Sequence, residues 1–308
     1  MFQTAFSNSD KVLIIGGSGF IGRHLVKRCL KDTRFVTCIG FSQSIKDFDT
    51  IHVDIKNSDK LRNVLYGKSF DYIFNLGGYI DHTHYFKGGR NVIETHFTGL
   101  LNVLDCIDIK SLKGFVQVGS IDEYGNAPSP QKETLRESPI SPYSQAKVAS
   151  THLIQMLYRT EGFPGVVIRF FLVYGSGQDN KRFLPQIING CLNNIEFKTS
   201  EGKQLRDFCY IDDVIEAMIK AAVLPQSRGQ VINVASGIPV AIRDVIQKIM
   251  LLTGGGKPLW GGHPYRVGEN MELYAEVSLA KKLLDWEPCT TLEDGLRKTI
   301  DNYRRVVE

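Results

Sequence analysis

Short apolar segments alternate with longer amphipathic segments along most of the chain. Six segments are short and almost entirely apolar, as strands buried on both faces are, at residues 12–15, 35–39, 72–76, 115–118, 166–170 and 231–234. Between them, apolar residues recur three or four positions apart, which predicts helices at residues 21–30, 61–66, 91–106 and 143–159. Strands that alternate with helices in this way predict an α/β fold with a doubly wound parallel sheet.

The pattern changes after residue 175. Helical periodicity continues, at residues 183–192, 211–223, 242–252 and 292–303, but loops rather than apolar strands connect these segments. We predict a first domain at residues 1–175, to which residues 206–236 return because 231–234 has the pattern of a further strand. Residues 176–205 and 237–308 are expected to form a smaller, mostly helical lobe over the sheet edge.

Composition indicates an ordinary globular protein. Hydrophobic residues make up 43% and charged residues 23% of the 308 residues. The net charge of +4 is small and dispersed, so we expect no nucleic-acid partner. No apolar run approaches the roughly 18 residues of a membrane span. The N-terminus lacks the pattern of a signal peptide, and the six cysteines form no CxxC pair, so we expect a cytoplasmic protein with reduced thiols.

A glycine-rich turn joins the first strand to the first helix. Glycines 16, 19 and 22 follow the pattern Gly-x-x-Gly-x-x-Gly, and Phe20 and Ile21 stand between the last two. Glycines permit a close backbone approach to a ligand, and a helix N-terminus offers free N–H groups and a positive dipole end. Such turns also occur where close packing alone requires glycine. By itself, this turn therefore fits a dinucleotide site and a packing role equally well.

A second set of residues adds proton-transfer chemistry. Ser120 follows the strand at 115–118, and Tyr143 and Lys147 stand four residues apart, on one face of a helix that opens after a proline-containing loop. Free tyrosine has a pKa of about 10, and a nearby ammonium group favours its deprotonation. Tyr143 is then the predicted acid/base, Ser120 orients the substrate oxygen, and Lys147 assists Tyr143 and the cofactor. Coincidental helix spacing and a strand-end hydroxyl cap are the structural alternatives.

The motifs together resemble the extended short-chain dehydrogenases/reductases of the NAD-dependent epimerase/dehydratase family over nearly the whole chain. The resemblance rests on the sequences GGSGFIG (16–22), GSIDEYG (119–125), SPYSQAK (141–147), RFFLVYG (169–175), RDFCYIDD (206–213), YR (265–266) and DWEP (285–288). It implies a Rossmann-type first domain that binds NAD(P), a lobe that binds a nucleoside-diphosphate sugar, and a homodimer built on the helices at 91–106 and 143–159. The complete Ser-Tyr-Lys set argues against a non-catalytic dinucleotide sensor.

The resemblance also implies site residues. Cofactor contacts are expected from Gly16, Gly19, Phe20, Ile21, Gly22, Ser42, Asp54, Ile55, Leu76, Tyr143 and Lys147. Substrate contacts are expected from Asp122, Arg182, Arg206 and Arg266, with the last two gripping the diphosphate. No metal is expected, since nicotinamide carries the electrons and the histidines at 82 and 84 lack a nearby third ligand.

The chain departs from the family pattern at residues 40, 96 and 121, and at residue 172, where Leu172 replaces an asparagine. Gly40 stands where NAD-preferring members carry an aspartate, which leaves NAD and NADP both open. His96 replaces an asparagine, and we expect a buried, hydrogen-bonded histidine there. Ile121 replaces the first of two dehydratase acids and Asp122 stands at the second. The first hypothesis is therefore hydride transfer at C4 of a nucleoside-diphosphate sugar, with a GDP-sugar as one candidate, by a 4-dehydrogenase or 4-ketoreductase. A 4-epimerase and then a 4,6-dehydratase are the alternatives.

Overall fold

A computed structural model describes residues 5–41, 48, 50–266 and 268–307. Its strands are β1 (Val12–Ile15), β2 (Val36–Gly40), β3 (Thr50–His52), β4 (Tyr72–Asn75), β5 (Gly114–Ser120), β6 (Gly165–Phe170), β7 (Leu172–Tyr174), β8 (Glu196–Lys198), β9 (Leu205–Tyr210), β10 (Val231–Val234), β11 (Pro239–Ala241), β12 (Lys257–Leu259) and β13 (Glu272–Leu273). Its helices are α1 (Phe20–Cys29), α2 (Ser58–Leu65), α3 (Arg90–Ile93), α4 (Gly99–Cys106), α5 (Pro142–Glu161), α6 (Phe183–Leu192), α7 (Ile211–Val223), α8 (Ile242–Thr253), α9 (Ser278–Leu284) and α10 (Leu292–Val307).

Seven parallel strands form the central sheet, in the order β10-β6-β5-β4-β1-β2-β3. The chain winds outward from β1 in one direction and, from β4 onward, in the other. The crevice between the carboxyl ends of β1 and β4 is therefore the topological switch point, where ligands bind in such folds. This confirms the predicted doubly wound parallel α/β fold, and it confirms 231–234 as a strand of the main sheet.

Both faces of the sheet are buried because the strands alternate between two cores. Val12 and Ile14 lie in one apolar cluster, which also includes α1 and α7 residues, whereas Leu13 and Ile15 lie in the other, with α2, α4 and α5 residues. Burial on both faces explains why these strands are nearly continuous apolar runs rather than alternating ones.

The later part of the chain contains short strands that the helical pattern did not predict. A four-stranded sheet has β9 at its centre, bonded to β11, β13 and β7, and β12 pairs with β8. Several of these strands are two or three residues long, too short for a period-two pattern to develop. The predicted helices at 183–192 and 211–223 coincide with α6 and α7.

The predicted helix at 91–106 is interrupted. The chain runs from α3 through a π-helical turn at Glu94–Thr98 into α4. Its apolar stripe serves mainly this chain's own core: Leu100 and Val103 are fully buried, whereas Leu101 is half-exposed. In α5, Ile154 is likewise buried. The structure thus accounts for most of the stripe without a second subunit, and the homodimer remains a prediction.

We find no helix among the described residues that is long and apolar enough to cross a membrane.

Candidate active site

The glycine turn closes tightly over the carboxyl end of β1. Gly16 has φ +82°, in the left-handed region that favours glycine, and a Cβ on Gly22 would lie 2.2 Å from the carbonyl oxygen of Gly16. Helix α1 then begins with Gly19 as an N-cap that provides no side-chain hydrogen bond, and its first turn contains no acidic residue. The first N–H groups, including those of Phe20 and Ile21, therefore stay available to an anion at the switch point. This geometry fits the diphosphate of a dinucleotide.

The neighbouring edge, after β2, is shaped by Gly40. A Cβ at this position would lie 2.4 Å from the Ser18 hydroxyl oxygen, so the side chain of Ser18 occupies the space that an aspartate would need. Phe41 follows and is 69% exposed. Ser42, a predicted cofactor contact, lies outside the described residues.

Asp54, Ile55 and Leu76 complete the predicted cofactor side. Asp54 accepts a hydrogen bond from the backbone N–H of Lys56 at 2.9 Å, which is also the geometry of a structural turn. Ile55 is buried and packs against Gly77, the residue that follows Leu76 after β4. Leu76 approaches the glycine turn, since a Cβ on Gly16 would be 2.8 Å from its carbonyl oxygen. Ile55 and Leu76 thus lie beside the crevice between β1 and β4, whereas Asp54 follows β3.

Ser120 ends β5 and caps the short 3₁₀ helix at Ile121–Tyr124. Its hydroxyl oxygen accepts a hydrogen bond from the Asp122 N–H at 3.2 Å, and its own N–H donates to Glu123 Oε1 at 2.8 Å. This reciprocal pair is a capping box, and it fixes the Ser120 side chain at the sheet edge.

Tyr143 and Lys147 lie on the first two turns of α5, whose N-terminus is fixed by Ser141 as N-cap and by Pro142. Both side chains are buried, and the Lys147 ammonium group lies 5.7 Å from the centroid of the Tyr143 ring. Lys147 Nζ also donates to the Val118 carbonyl at 2.7 Å, which ties α5 to β5. Tyr143 has Ser120 as a hydrogen-bond partner. The structure thus brings Ser120, Tyr143 and Lys147 together.

Burial sets the electrostatics of this triad. It lowers the pKa of Lys147 to about 8, against the charges of Glu123 and Asp122, which raise it. Burial raises the pKa of Tyr143 above its ordinary value, and the Ser120 hydrogen bond acts in the opposite direction. From the sequence, a nearby ammonium group and an oxidised nicotinamide were expected to favour the deprotonated form of Tyr143. In this structure burial is the largest influence on its pKa, so the phenol is protonated.

Beneath the triad lies a buried ionic cluster, which we call the floor and define as Glu123, Glu137, Thr151 and Arg169. Arg169 Nη2 donates to Glu123 Oε2 and to Glu137 Oε1, each at 2.7 Å, and Thr151 Oγ1 donates to Glu123 Oε2 at 2.7 Å. Arg169 and Glu123 have no exposed side-chain surface. The Arg169 guanidinium carbon also lies 4.5 Å from the centroid of the Tyr124 ring. The floor holds Ser120 through the backbone contact of Glu123.

Above the triad lies a more open set, which we call the rim and define as Asp122, His82 and Ser141. His82 Nε2 is 3.8 Å from Asp122 Oδ2, and His82 Nδ1 is 3.4 Å from Ser141 Oγ. The His82 ring stands edge-on to the Tyr143 ring, with centroids 5.6 Å apart. Burial raises the pKa of Asp122, and the nearby His82 opposes this shift.

His96 lies behind Tyr143, in the π-helical turn. Its Nε2 is 2.8 Å from the Tyr79 carbonyl oxygen, and burial lowers its pKa to about 3, so it is a neutral donor there. Its ring packs edge-on against Tyr143 and directly on Gly78, where a Cβ would lie 2.1 Å from His96 Cε1. This is the buried, hydrogen-bonded histidine that the sequence predicted.

The predicted substrate arginines fall into two places. Arg182 is exposed at the N-terminus of α6, and its charge acts on Tyr143. Arg206, on β9, is paired with Glu269 and feels the charge of Arg266. The structure thus brings Arg206 and Arg266 near each other, as shared binding of a diphosphate requires.

Sequence reasoning missed the floor and the partners of the rim. Glu123 carried a usable signal, since Ser120-x-x-Glu123 has the capping-box spacing. Arg169 lies in one of the family motifs, but its partners, like those of Glu137 and Glu269, are far away in sequence and carried no signal. Among the described residues, no group of three or more potential metal ligands occurs.

Comparison with known proteins agrees with this geometry. Residues 12–235 match the family model described as the NAD dependent epimerase/dehydratase family. A Bacillus subtilis protein named as the uncharacterized UDP-glucose epimerase YtcB is 28% identical, over 94% of this chain and 96% of that protein. The dTDP-glucose 4,6-dehydratase of Salmonella typhimurium is 25% identical, over 95% and 92%. The structure of MoeE5 in complex with UDP-glucuronic acid and NAD is 26% identical, with a TM-score of 0.84 over 96% of this chain and 99% of that one.

The chain therefore belongs to the NAD-dependent epimerase/dehydratase family. It is an enzyme of the extended short-chain dehydrogenase/reductase type, with a nicotinamide dinucleotide as cofactor and with nucleoside-diphosphate sugars as the substrate class of its relatives.

Proposed function

We propose that this enzyme transfers a hydride between NAD(P) and C4 of a nucleoside-diphosphate sugar. The observation that carries the proposal is the placement of Ser120, Tyr143 and Lys147 at the sheet edge beside the glycine turn. The dinucleotide, held along that turn, supplies hydride-transfer chemistry when it is bound. The chain's own residues then have to handle one proton and one oxygen atom.

Tyr143 transfers the proton. In the oxidative direction it accepts the proton of the C4 hydroxyl, and in the reductive direction its phenol donates a proton to the C4 carbonyl oxygen. Ser120, held by its capping box, donates a hydrogen bond to the same oxygen and fixes its position. The ammonium group of Lys147, held by the Val118 carbonyl, favours the phenolate and is available to the nicotinamide ribose.

Arg206 and Arg266 are the proposed diphosphate ligands, because guanidinium forks match phosphate oxygens. Arg206 must then release Glu269 before it binds the diphosphate, because its guanidinium group is paired with the Glu269 carboxylate in this structure. Arg182, on the same side as Tyr143, is the proposed third contact.

Among C4 reactions, we favour a 4-dehydrogenase or 4-ketoreductase, in the synthesis of sugar or polysaccharide precursors. Ile121 supports this choice over a 4,6-dehydratase, because its side chain lies in a small apolar cluster with Tyr124, Phe171 and Ala275 and offers no acid. A 4-epimerase is the second candidate. Relatives named as UDP-glucose epimerase and UDP-glucuronate 4-epimerase favour it, and it needs the same Ser120, Tyr143 and Lys147.

The first test is the variant Tyr143→Phe. It removes the proton donor while retaining the ring, so we expect turnover of a nucleoside-diphosphate sugar to fall by roughly 10³-fold or more. Dinucleotide binding, measured by fluorescence titration, should stay within a few-fold of the wild type. Tyr158→Phe, on the exposed side of the same helix, is the matched control and should keep full activity. Undiminished turnover in Tyr143→Phe would refute the assignment.

The second test separates the two candidates. The purified protein is denatured, and any dinucleotide that it releases is identified together with its redox state. Tightly held NAD or NADH supports the 4-epimerase, which recycles its cofactor internally, or a 4-dehydrogenase whose cofactor is regenerated by a second oxidant. An empty protein that then prefers added NADPH supports the 4-ketoreductase and also resolves the significance of Gly40.

We further propose a homodimer through α4 and α5. Leu101 on α4 and Met156 on α5 are 37% and 38% exposed, and they supply an apolar contact on the outer sides of these helices. Sedimentation of the wild type and of Leu101→Glu tests this: a dimer that the charge dissociates supports it, and a monomeric wild type refutes it.

A further inference from the structure

We propose that His24 is a positioning residue that transmits dinucleotide binding at α1 to the loop at residues 175–182, which ends at Arg182. The inference rests on the proposed function, because it concerns how the cofactor side and the substrate side of that same site act together. His24 is assigned no contact with either ligand. It acts through the loop, on the position of Arg182 relative to Tyr143.

His24 makes a long-range contact that the triad does not require. It lies on the second turn of α1, and its Nε2 donates to the Ser176 carbonyl oxygen, 152 positions away in sequence, at 2.9 Å. A carbonyl oxygen can only accept, so Nε2 carries the ring proton. Burial lowers the pKa of His24, which keeps the ring neutral at neutral pH. This contact joins the helix that follows the glycine turn to the loop that leaves β7.

On the cofactor side, the first residue of α1 orients His24. Phe20 stands four positions earlier, and its ring lies edge-on to the imidazole, with centroids 5.7 Å apart. The backbone N–H of Phe20 is among the groups that are available to the diphosphate of the dinucleotide. A ligand that fixes this first turn of α1 therefore also restricts the side chain of His24.

On the substrate side, the loop rests directly on α1. A Cβ on Gly177, which has φ +79°, would lie 3.3 Å from Arg23 Nη1, so the Arg23 guanidinium group packs against this glycine. A second anchor comes from α10, where the Tyr303 hydroxyl oxygen is 3.4 Å from the Gln178 carbonyl oxygen. Residues 179–182 are exposed. Exposed backbone between two anchors opens easily, so the contact with α1 has a large influence on the order of the loop.

The end of the loop carries a charge that the triad senses. Arg182 caps the N-terminus of α6, and its backbone N–H donates to the Asp179 carbonyl oxygen at 2.9 Å, so its position follows that of the loop. The charge of Arg182 acts on Tyr143. Order that the dinucleotide has already imposed on the loop does not have to be imposed again by the sugar nucleotide. The two ligands therefore bind with positive coupling, and His24 carries it.

Amide hydrogen exchange, followed by mass spectrometry, tests this coupling without any turnover. Exchange is measured with no ligand, with saturating NAD and, separately, with saturating NADPH. Protection of the first turn of α1 reports that the dinucleotide is bound. In the wild type, we expect the bound dinucleotide to slow exchange in the 175–182 loop by roughly 10-fold.

Variants of His24 then assign the effect. His24→Phe keeps an aromatic ring beside Phe20 but cannot donate to Ser176, so the slowing in the loop should fall below about 2-fold while α1 remains protected. His24→Gln restores a side-chain N–H donor and should recover most of the slowing, which a purely packing role of the ring would not allow. Tyr303→Phe loosens the same loop from the α10 side and is the matched control. It should keep the full response to the dinucleotide.

Two results overturn the inference: a wild-type loop whose exchange is unchanged by the bound dinucleotide, or a loop that is fully protected in His24→Phe. Failure of the proposed function has a different signature, namely no change in nicotinamide absorbance with any sugar nucleotide, and it leaves the response of the loop intact. Absence of protection at α1 with both dinucleotides would overturn the two together.

Discussion

The floor and the rim of the active site place adjacent carboxylates in opposite environments. Glu123 is fully buried and bound by Arg169, Thr151 and the Ser120 backbone. Asp122, the preceding residue, is partly exposed and faces His82. The same chemical group is thus buried and used to hold Ser120 in one case, and left partly exposed beside His82 in the other. Burial and partners, rather than residue type, distinguish these two environments.

The largest effect is expected when the floor is broken. Arg169→Met leaves Glu123 buried without its cation, so we expect a loss of about 3–5 kcal/mol in the free energy of unfolding. Urea denaturation measures this loss. The double variant Glu123→Gln, Arg169→Met removes both charges and should recover part of it. A cost below about 1 kcal/mol for Arg169→Met would mean that the floor is not the support described here.

Lys147 lies between the two regions, and its pKa makes stability depend on pH. Its pKa is lowered from 10.5 to about 8 in the folded chain. At a pH between these two values, Lys147 is protonated in the unfolded chain but not in the folded chain. Stability therefore rises with pH across this window, by roughly 3 kcal/mol from this residue, and the gain is lost as pH falls through about 8.

The measurement is the difference between the wild-type and Lys147→Met unfolding curves at several pH values from 7 to 10.5, a range set by the pKa of Lys147. Lys147→Met should lack this rise. Lys282→Met, which changes an exposed lysine on α9, should keep it. Parallel curves for the wild type and Lys147→Met would contradict the assigned pKa.

Ser120 tests how far the floor serves catalysis. Ser120→Ala loses both the proposed hydrogen bond to the substrate oxygen and the observed cap of the 3₁₀ helix. We expect turnover to fall by roughly 10²-fold and the free energy of unfolding by about 1 kcal/mol. Steady-state kinetics and thermal denaturation separate the two losses. A loss of stability with unchanged turnover would confine Ser120 to its structural role.

The smallest effect on stability is expected at the rim. Because the pKa of Asp122 is raised in the folded state, its contribution to stability is complete below its ordinary pKa of 3.8 and is lost as pH rises through the folded value. At neutral pH the charged carboxylate is therefore mildly unfavourable. Asp122→Asn should change the free energy of unfolding by less than about 0.5 kcal/mol, in the stabilising direction. Marked destabilisation in a melting experiment would place Asp122 with the floor instead.

Much of this architecture was predictable from sequence, for identifiable reasons. The strand at 12–15 and the helix at 211–223 coincide with the predictions because their patterns are local and strongly periodic. Ser120, Tyr143 and Lys147 were predictable as a group because strand ends and helix starts share one edge of a parallel sheet.

The rest depends on contacts that spacing does not encode. Arg169 and Glu137 are 32 residues apart, and neither stands in a motif that names the other. The pairing of Arg206 with Glu269 spans 63 residues. Desolvation of Tyr143, which raises its pKa, is likewise a property of the assembled site that sequence spacing does not encode.

The path of the chain between the two sheets limits which segments could be exchanged between related proteins. Among the described strands, the chain leaves the seven-stranded sheet after β6, returns for β10, and leaves again for β11. The segments beyond the main sheet are thus not one insertion that a single recombination event could replace. Exchanging them between relatives as a unit would require several simultaneous junctions, each preserving the register of β10 on β6. Of the proposed substrate contacts, Arg182 and Arg206 precede β10 and Arg266 follows it, so point substitution reaches each of them without a change in this register.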